Sequence, residues 1–238
     1  MDTFSIAPPG RAAAAGPGGG RAAAGMLGLA GPAFVDAFAR AGHAAFRRDL
    51  ERLAAAAAAG RAHAPLVRAG WENLKEQLRL HHELQEGALW PRVERAVAGH
   101  SPELGVVAEL RAEYVGVGPL VAVLDAVLED GVREEVVSAV RGLRAALEVH
   151  LRHEEAGVLA LARRVLGPAD WAGFAGDAVA ACTAAGGGRC GEGTVPWMVD
   201  GIAPLERSRF LTALPREVRE LNRLRWEPRY RRRRLWSV

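Results

Sequence analysis

The 238-residue chain has only two cysteines, Cys182 and Cys190. That excludes a disulfide framework and a four-thiolate metal site, and their spacing across a glycine-rich stretch matches no redox pair. Aromatic residues make up 6% of the chain, and β-branched residues are few outside short runs, so the side chains that favour sheet are scarce. No stretch of eighteen residues is continuously apolar, which argues against a membrane span. The first ten residues, MDTFSIAPPG, do not place a basic patch before a hydrophobic core and do not read as a signal peptide. A cytoplasmic location is the default expectation.

Alanine and leucine dominate what is present, and both favour helix. The formal net charge of +3 is unevenly placed. Residues 221–238 carry seven arginines and one glutamate, a net of +6, so the remainder is about −3 by subtraction. Residues 1–30 are rich in Ala, Gly and Pro with no periodic apolar pattern, and they are expected to be a disordered lead. Residues 31–167 are expected to form the folded bundle. Residues 168–238 are expected to be a glycine-containing linker, short helices and an arginine-rich tail, with 184–193 irregular.

Four segments in the middle show helical periodicity. They run from about Pro32 to Ala59, from Pro65 to Ala98, from Pro102 to Asp130 with Ser101 as cap, and on to Leu166, before Gly167-Pro168. Each pairs an apolar stripe with a charged face, and short loops join them. The pattern predicts an all-α fold, an antiparallel up-and-down four-helix bundle with a C-terminal helical extension.

Residues four apart share a helix face. His43 falls in the stripe of Ala39, Phe46 and Leu50. His81 and Gln85 align with Leu74, Leu78 and Leu89, whereas His82 and Glu86 align with Lys75 and Arg79 and flank the core or face water. His150 and Glu154 continue the stripe of Leu143 and Leu147. A carboxylate placed inward is costly unless a cation or donor offsets it. Three imidazoles and one carboxylate therefore converge on the axis, which points to a metal or a polar network.

The order His43-Ala-Ala-Phe-Arg-Arg-Asp-Leu50, then His81-His82 with Leu89-Trp90-Pro91, then His150, His153, Glu154 and Glu155 resembles the hemerythrin-like, or HHE cation-binding, family. It looks most like actinobacterial members with a C-terminal extension. The resemblance implies a four-helix bundle around non-heme iron that binds or senses oxygen or performs redox chemistry. Two positions depart from it. Gln85 stands where the second helix's bridging glutamate is expected. The third helix offers Glu113-Tyr114 in place of a glutamate-histidine pair, with Gly118 one turn on.

These departures leave His43, His81, His150 and Glu154 as the main candidate ligands. Tyr114, Gln85, His82 and Glu86 are secondary ones. The resemblance implies non-heme iron as cofactor, mononuclear or dinuclear, with molecular oxygen or another small oxidant as partner. The alternative is a metal-free, degenerate bundle with a structural or interaction role. No catalytic residue and no protein partner can be named. Arg229, Arg231, Arg232, Arg233 and Arg234 could meet phosphates or an acidic membrane. A solvated family tail is the preferred reading, and nucleic acid is not an expected partner.

Overall fold

The computed structural model describes residues 32–184, 189–214 and 216–237. The expected lead, residues 1–30, lies outside the described residues. So does Pro215, where a helix start was expected, and the side chains of Cys182 and Cys190 are likewise outside.

Among the described residues the chain is all-helical. Helix α1 spans Pro32–Ala58. The second rod is α2 (Pro65–Leu84), a π turn (Gln85–Leu89) and α3 (Trp90–Ala96). The third is α4 (Ser101–Asp130). The fourth is α5 (Arg133–His153), a second π turn (Glu154–Val158) and α6 (Leu159–Val165). Together they form the four-helix bundle, with α5 packed against both α1 and α4, and α1 against α2.

Proline opens α2 at a position where its missing N–H costs nothing. Ser101 is the first residue of α4 instead of its cap. His100 takes the cap position without a side-chain bond, and Pro102 supplies the rigid first turn. Inside the bundle Phe46, Leu53, Leu74, Leu124, Leu143 and Leu147 are buried in one continuous core. A second cluster, around Trp90, Leu110 and Leu161, fills the end beyond the two π turns. Each such side chain contributes about 1.5–3 kcal/mol on burial.

Beyond the bundle run α7 (Pro168–Ala184), α8 (Arg189–Val199), α9 (Pro204–Ala213), α10 (Arg216–Leu221), a third π turn (Asn222–Trp226) and α11 (Glu227–Arg232). The expected irregularity of residues 184–193 does not extend past Arg189, where α8 begins. Burial of Val195, Trp197, Met198 and Val199 anchors this helix from its C-terminal half and overrides the low propensity of its glycines. Helix α8 packs on α1, on the third π turn and on α11.

The arginine-rich end folds back onto α2. Trp236 donates its backbone N–H to the Leu66 carbonyl at 2.9 Å, and Arg233 donates to Asn73 Oδ1 at 2.8 Å. The Trp236 ring lies against Gly70, in space that a Cβ at that position would occupy. No helix among the described residues is long and apolar enough to cross a membrane.

Candidate metal centre

His43 on α1, His81 on α2 and Glu154 at the start of the second π turn meet in the bundle interior. His81 Nε2 lies 3.0 Å from Glu154 Oε2, and His43 Nε2 lies 3.4 Å from the same oxygen. One ligand atom from each of the three lies within 4.8 Å of the others. His43 and Glu154 are fully buried, and His81 keeps a small exposed edge. The two rings stand edge to face, with centroids 5.4 Å apart.

Electrostatics bind this cluster together. Burial opposes the ionised form of Glu154, yet the charges of His81 and His43 and the hydrogen bond from His81 prevail and hold its carboxyl well below the usual carboxylate range. Burial also opposes the charged form of His43. Glu154 and Glu155 outweigh it and raise the imidazole to about 9. The Nδ1–H of His43 donates to Glu155 Oε1 at 2.8 Å, and Arg47 Nη1 donates to the same oxygen at 3.0 Å. The hydrogen bond from His43 is the main reason that Glu155 is held down to about 2. Arg47 is steadied in turn by Glu148, at 2.8 Å.

Two imidazole nitrogens and one carboxylate oxygen suit a first-row divalent cation such as iron, manganese or zinc. Within the cluster His43 Nε2 and Gln85 Oε1 are buried without a hydrogen-bond partner, so the protein's own groups do not satisfy it completely. The donor set fits a metal ion. A family model for the hemerythrin HHE cation binding domain matches residues 36–162, more than half of the chain. The chain belongs to this family. No curated protein and no solved structure matches it.

Family membership makes this hemerythrin HHE chain a cation-binding protein, and with the assembled cluster it does not favour the metal-free alternative. The other candidate residues lie around the cluster in distinct roles. Gln85 opens the first π turn and donates its side-chain N–H to Glu154 Oε1. The two π turns thus begin at residues bonded to each other, and such turns recur at functional sites. His150 is buried beside the cluster, but its Nδ1 faces Glu113 Oε2 at 3.5 Å instead of joining the three. Burial lowers its affinity for a proton despite the nearby Glu154.

Tyr114 stacks on His82 with ring centroids 3.5 Å apart and planes 10° apart. Burial, with some help from Glu83, pushes the Tyr114 phenol above its ordinary range, so it stays protonated. His82 also meets Trp90 edge-on and flanks the core, where burial and the charges of His81 and His150 lower it to about 4. Glu86 turns to Arg111 on α4, at 3.0 Å. In the tail, Arg231 pairs with Glu227 at 2.5 Å and Arg233 sits over the Tyr230 ring, while Arg229, Arg232 and Arg234 are exposed.

Sequence reasoning missed the support around the cluster. Glu155, one position past the inward Glu154, orients His43. Asp49, fully buried on α1, was not singled out. It accepts from Trp197 Nε1 at 2.8 Å, from Arg48 at 2.9 Å and from Arg52 at 3.1 Å. Trp197 also packs against Phe46, which touches the His81 ring. The only signal available in the chain was an acidic residue one turn beyond Phe46, in the same run as two arginines.

Proposed function

We propose that this HHE protein holds a single iron ion on His43, His81 and Glu154 and uses it to handle or sense molecular oxygen or another small oxidant. The convergence of two imidazoles on the fully buried Glu154 carboxylate carries the reading. Bound iron would supply one-electron redox chemistry in a pocket shielded from bulk water.

The residues have separable tasks in this reading. Glu154 would offset the cation's charge, and Glu155, holding the Nδ1–H, fixes the His43 ring so that Nε2 points inward and would ligate once the cation displaces its proton. Phe46 packs on His81 and limits its motion, while the exposed edge of His81 marks the side from which a small molecule approaches. A single ion is favoured over a pair by two neighbours. Gln85 brings an uncharged amide to Glu154 Oε1, where holding a second ion would call for another negative charge. Tyr114, a protonated phenol stacked on His82, stands where the resemblance calls for another imidazole.

Metal analysis of aerobically purified protein, with its ultraviolet-visible spectrum, tests the reading. One iron per chain without an oxo-bridge band is expected. Two irons with such a band would overturn the single-ion assignment. Failure to take up Fe, Mn or Zn, with melting unchanged by added metal, would overturn the metal site itself.

A further inference from the structure

A cavity lies far along the chain from the HHE cluster, among the C-terminal helices. Its volume is about 460 Å³, within the range typical of small-molecule sites, roughly 300–1,000 Å³. Residues of α9, α10, the third π turn and α11 line it.

Its charges do not balance. Among the described residues four arginines and two glutamates face it, 4 − 2, for a net of +2. Glu220 is paired with Arg216, and Glu227 with Arg207 from the cavity and Arg231 from outside it. Arg219 and Arg223 remain. Among the described residues Arg219 donates only to the backbone carbonyls of Thr212 and Leu214, at 3.0 and 3.2 Å, and these neutral partners leave its charge uncompensated. Arg223 has no carboxylate within ion-pair distance among the described residues.

A buried polar atom marks the same place. Asn222 is 1% exposed and lines the cavity. Its Nδ2 donates to Glu227 Oε2 at 3.3 Å, but its Oδ1 has no hydrogen-bond partner. An acceptor left unsatisfied in the interior costs about 1–3 kcal/mol, and a ligand bearing a donor removes that cost.

We propose that this cavity binds a phosphorylated small molecule that also carries a hydroxyl group, such as a sugar phosphate. The phosphate oxygens match the guanidinium forks of Arg219 and Arg223. The hydroxyl donates to Asn222 Oδ1 after a small shift of the amide brings that enclosed atom to the cavity wall. Guanidinium groups recognise the phosphate, and the buried amide selects for the organic body over the free anion. This assignment is independent of the metal reading.

Titration calorimetry on the full-length protein with ribose 5-phosphate, inorganic phosphate and ribose provides the test. Ribose 5-phosphate is expected to bind one per chain, inorganic phosphate at least tenfold more weakly, and ribose not at all. Arg223→Gln changes an exposed side chain and is expected to keep the melting temperature while weakening ribose 5-phosphate at least tenfold. Arg223→Lys, which retains the charge, is expected to fall between the two. No binding at millimolar ribose 5-phosphate would overturn the proposal. So would equal affinity in Arg223→Gln, equal affinity for inorganic phosphate, or salt-sensitive retention on duplex DNA without ribose 5-phosphate binding.

Discussion

Trp197 donates its indole N–H to the buried Asp49 carboxylate across 148 positions of sequence, at 2.8 Å. The same carboxylate is held by Arg48 and Arg52, and these arginines reach on to the Asp200 carbonyl, at 2.6 Å, and the Asp200 carboxylate, at 2.7 Å. Asp49 therefore joins the extension to the first bundle helix. Because Trp197 packs on Phe46, and Phe46 on His81, the extension also braces the wall of the His43, His81 and Glu154 cluster.

The two ends of this latch differ in what their loss leaves behind. Asp49→Ala takes the acceptor from the Trp197 indole N–H and from Arg48 Nε, and leaves both arginines only their contacts with Trp197 and Asp200, so it is expected to cost about 3–5 kcal/mol of stability. Trp197→Phe keeps the ring volume in part and leaves Asp49 with both arginines, for a loss of about 1–2 kcal/mol. Urea denaturation measures both. Equal losses would show that the carboxylate is not the centre of the latch.

Gln85→Glu places a second carboxylate against Glu154 in a buried site, where like charges repel strongly. The metal-free variant should melt lower, by about 2–4 °C for each kcal/mol lost at this chain size. Ferrous iron should restore the melting temperature and raise the iron content above one per chain. Unchanged melting and unchanged iron content would mean that Gln85 does not control occupancy.

Glu155 lies outside the three inward groups and acts through His43. Glu155→Gln keeps the shape but removes the charge that accepts the His43 Nδ1–H and the Arg47 guanidinium. Metal affinity is expected to fall about 10–100-fold with circular dichroism unchanged. A competition titration with a chelator of known affinity reads this directly. Affinity within twofold of the parent would remove Glu155 from the site.

Tyr230 offers a test on pH. Its hydroxyl is buried without a hydrogen-bond partner, so Tyr230→Phe should change stability at pH 7 by less than about 1 kcal/mol, in either direction. Burial first, and then the charges of Asp49 and Asp200, push this phenol above its ordinary range. In the unfolded chain it ionises near its usual value of about 10, while the native state keeps its proton. Above that pH the native state binds more protons, so stability falls as pH rises, and below it nothing is lost. Denaturation midpoints between pH 8 and 11 should decline less in Tyr230→Phe than in the parent, the decline common to both coming from His43 around its raised value of about 9 and from Tyr114 above 10. Identical declines would contradict the assignment.

The inward group was legible because helical geometry is local. Spacing of four places His81 with Leu74 and Leu78, and His150 and Glu154 with Leu143 and Leu147, whatever the helices pack against. The same rule put His82 and Glu86 on the flank, where Tyr114 and Arg111 meet them. Glu155, Asp49 and the tail were not legible in this way. Glu155 orients His43, 112 positions away, and Arg233 docks on Asn73, 160 away. Residue spacing carries no information about partners at such separations.

By itself, then, the chain determined four amphipathic rods and which histidines and carboxylate each turns inward, since apolar periodicity and turn residues act within a few positions. Tertiary packing decided that His43 and His81 share one oxygen of Glu154 while His150 faces Glu113. It also decided that the glycine-rich stretch continues as helix from Arg189, and that the arginine-rich end lies on the second helix. Those outcomes depend on burial and on charges brought together from distant parts of the chain, where the loss of water makes each pairing strong enough to override local preference.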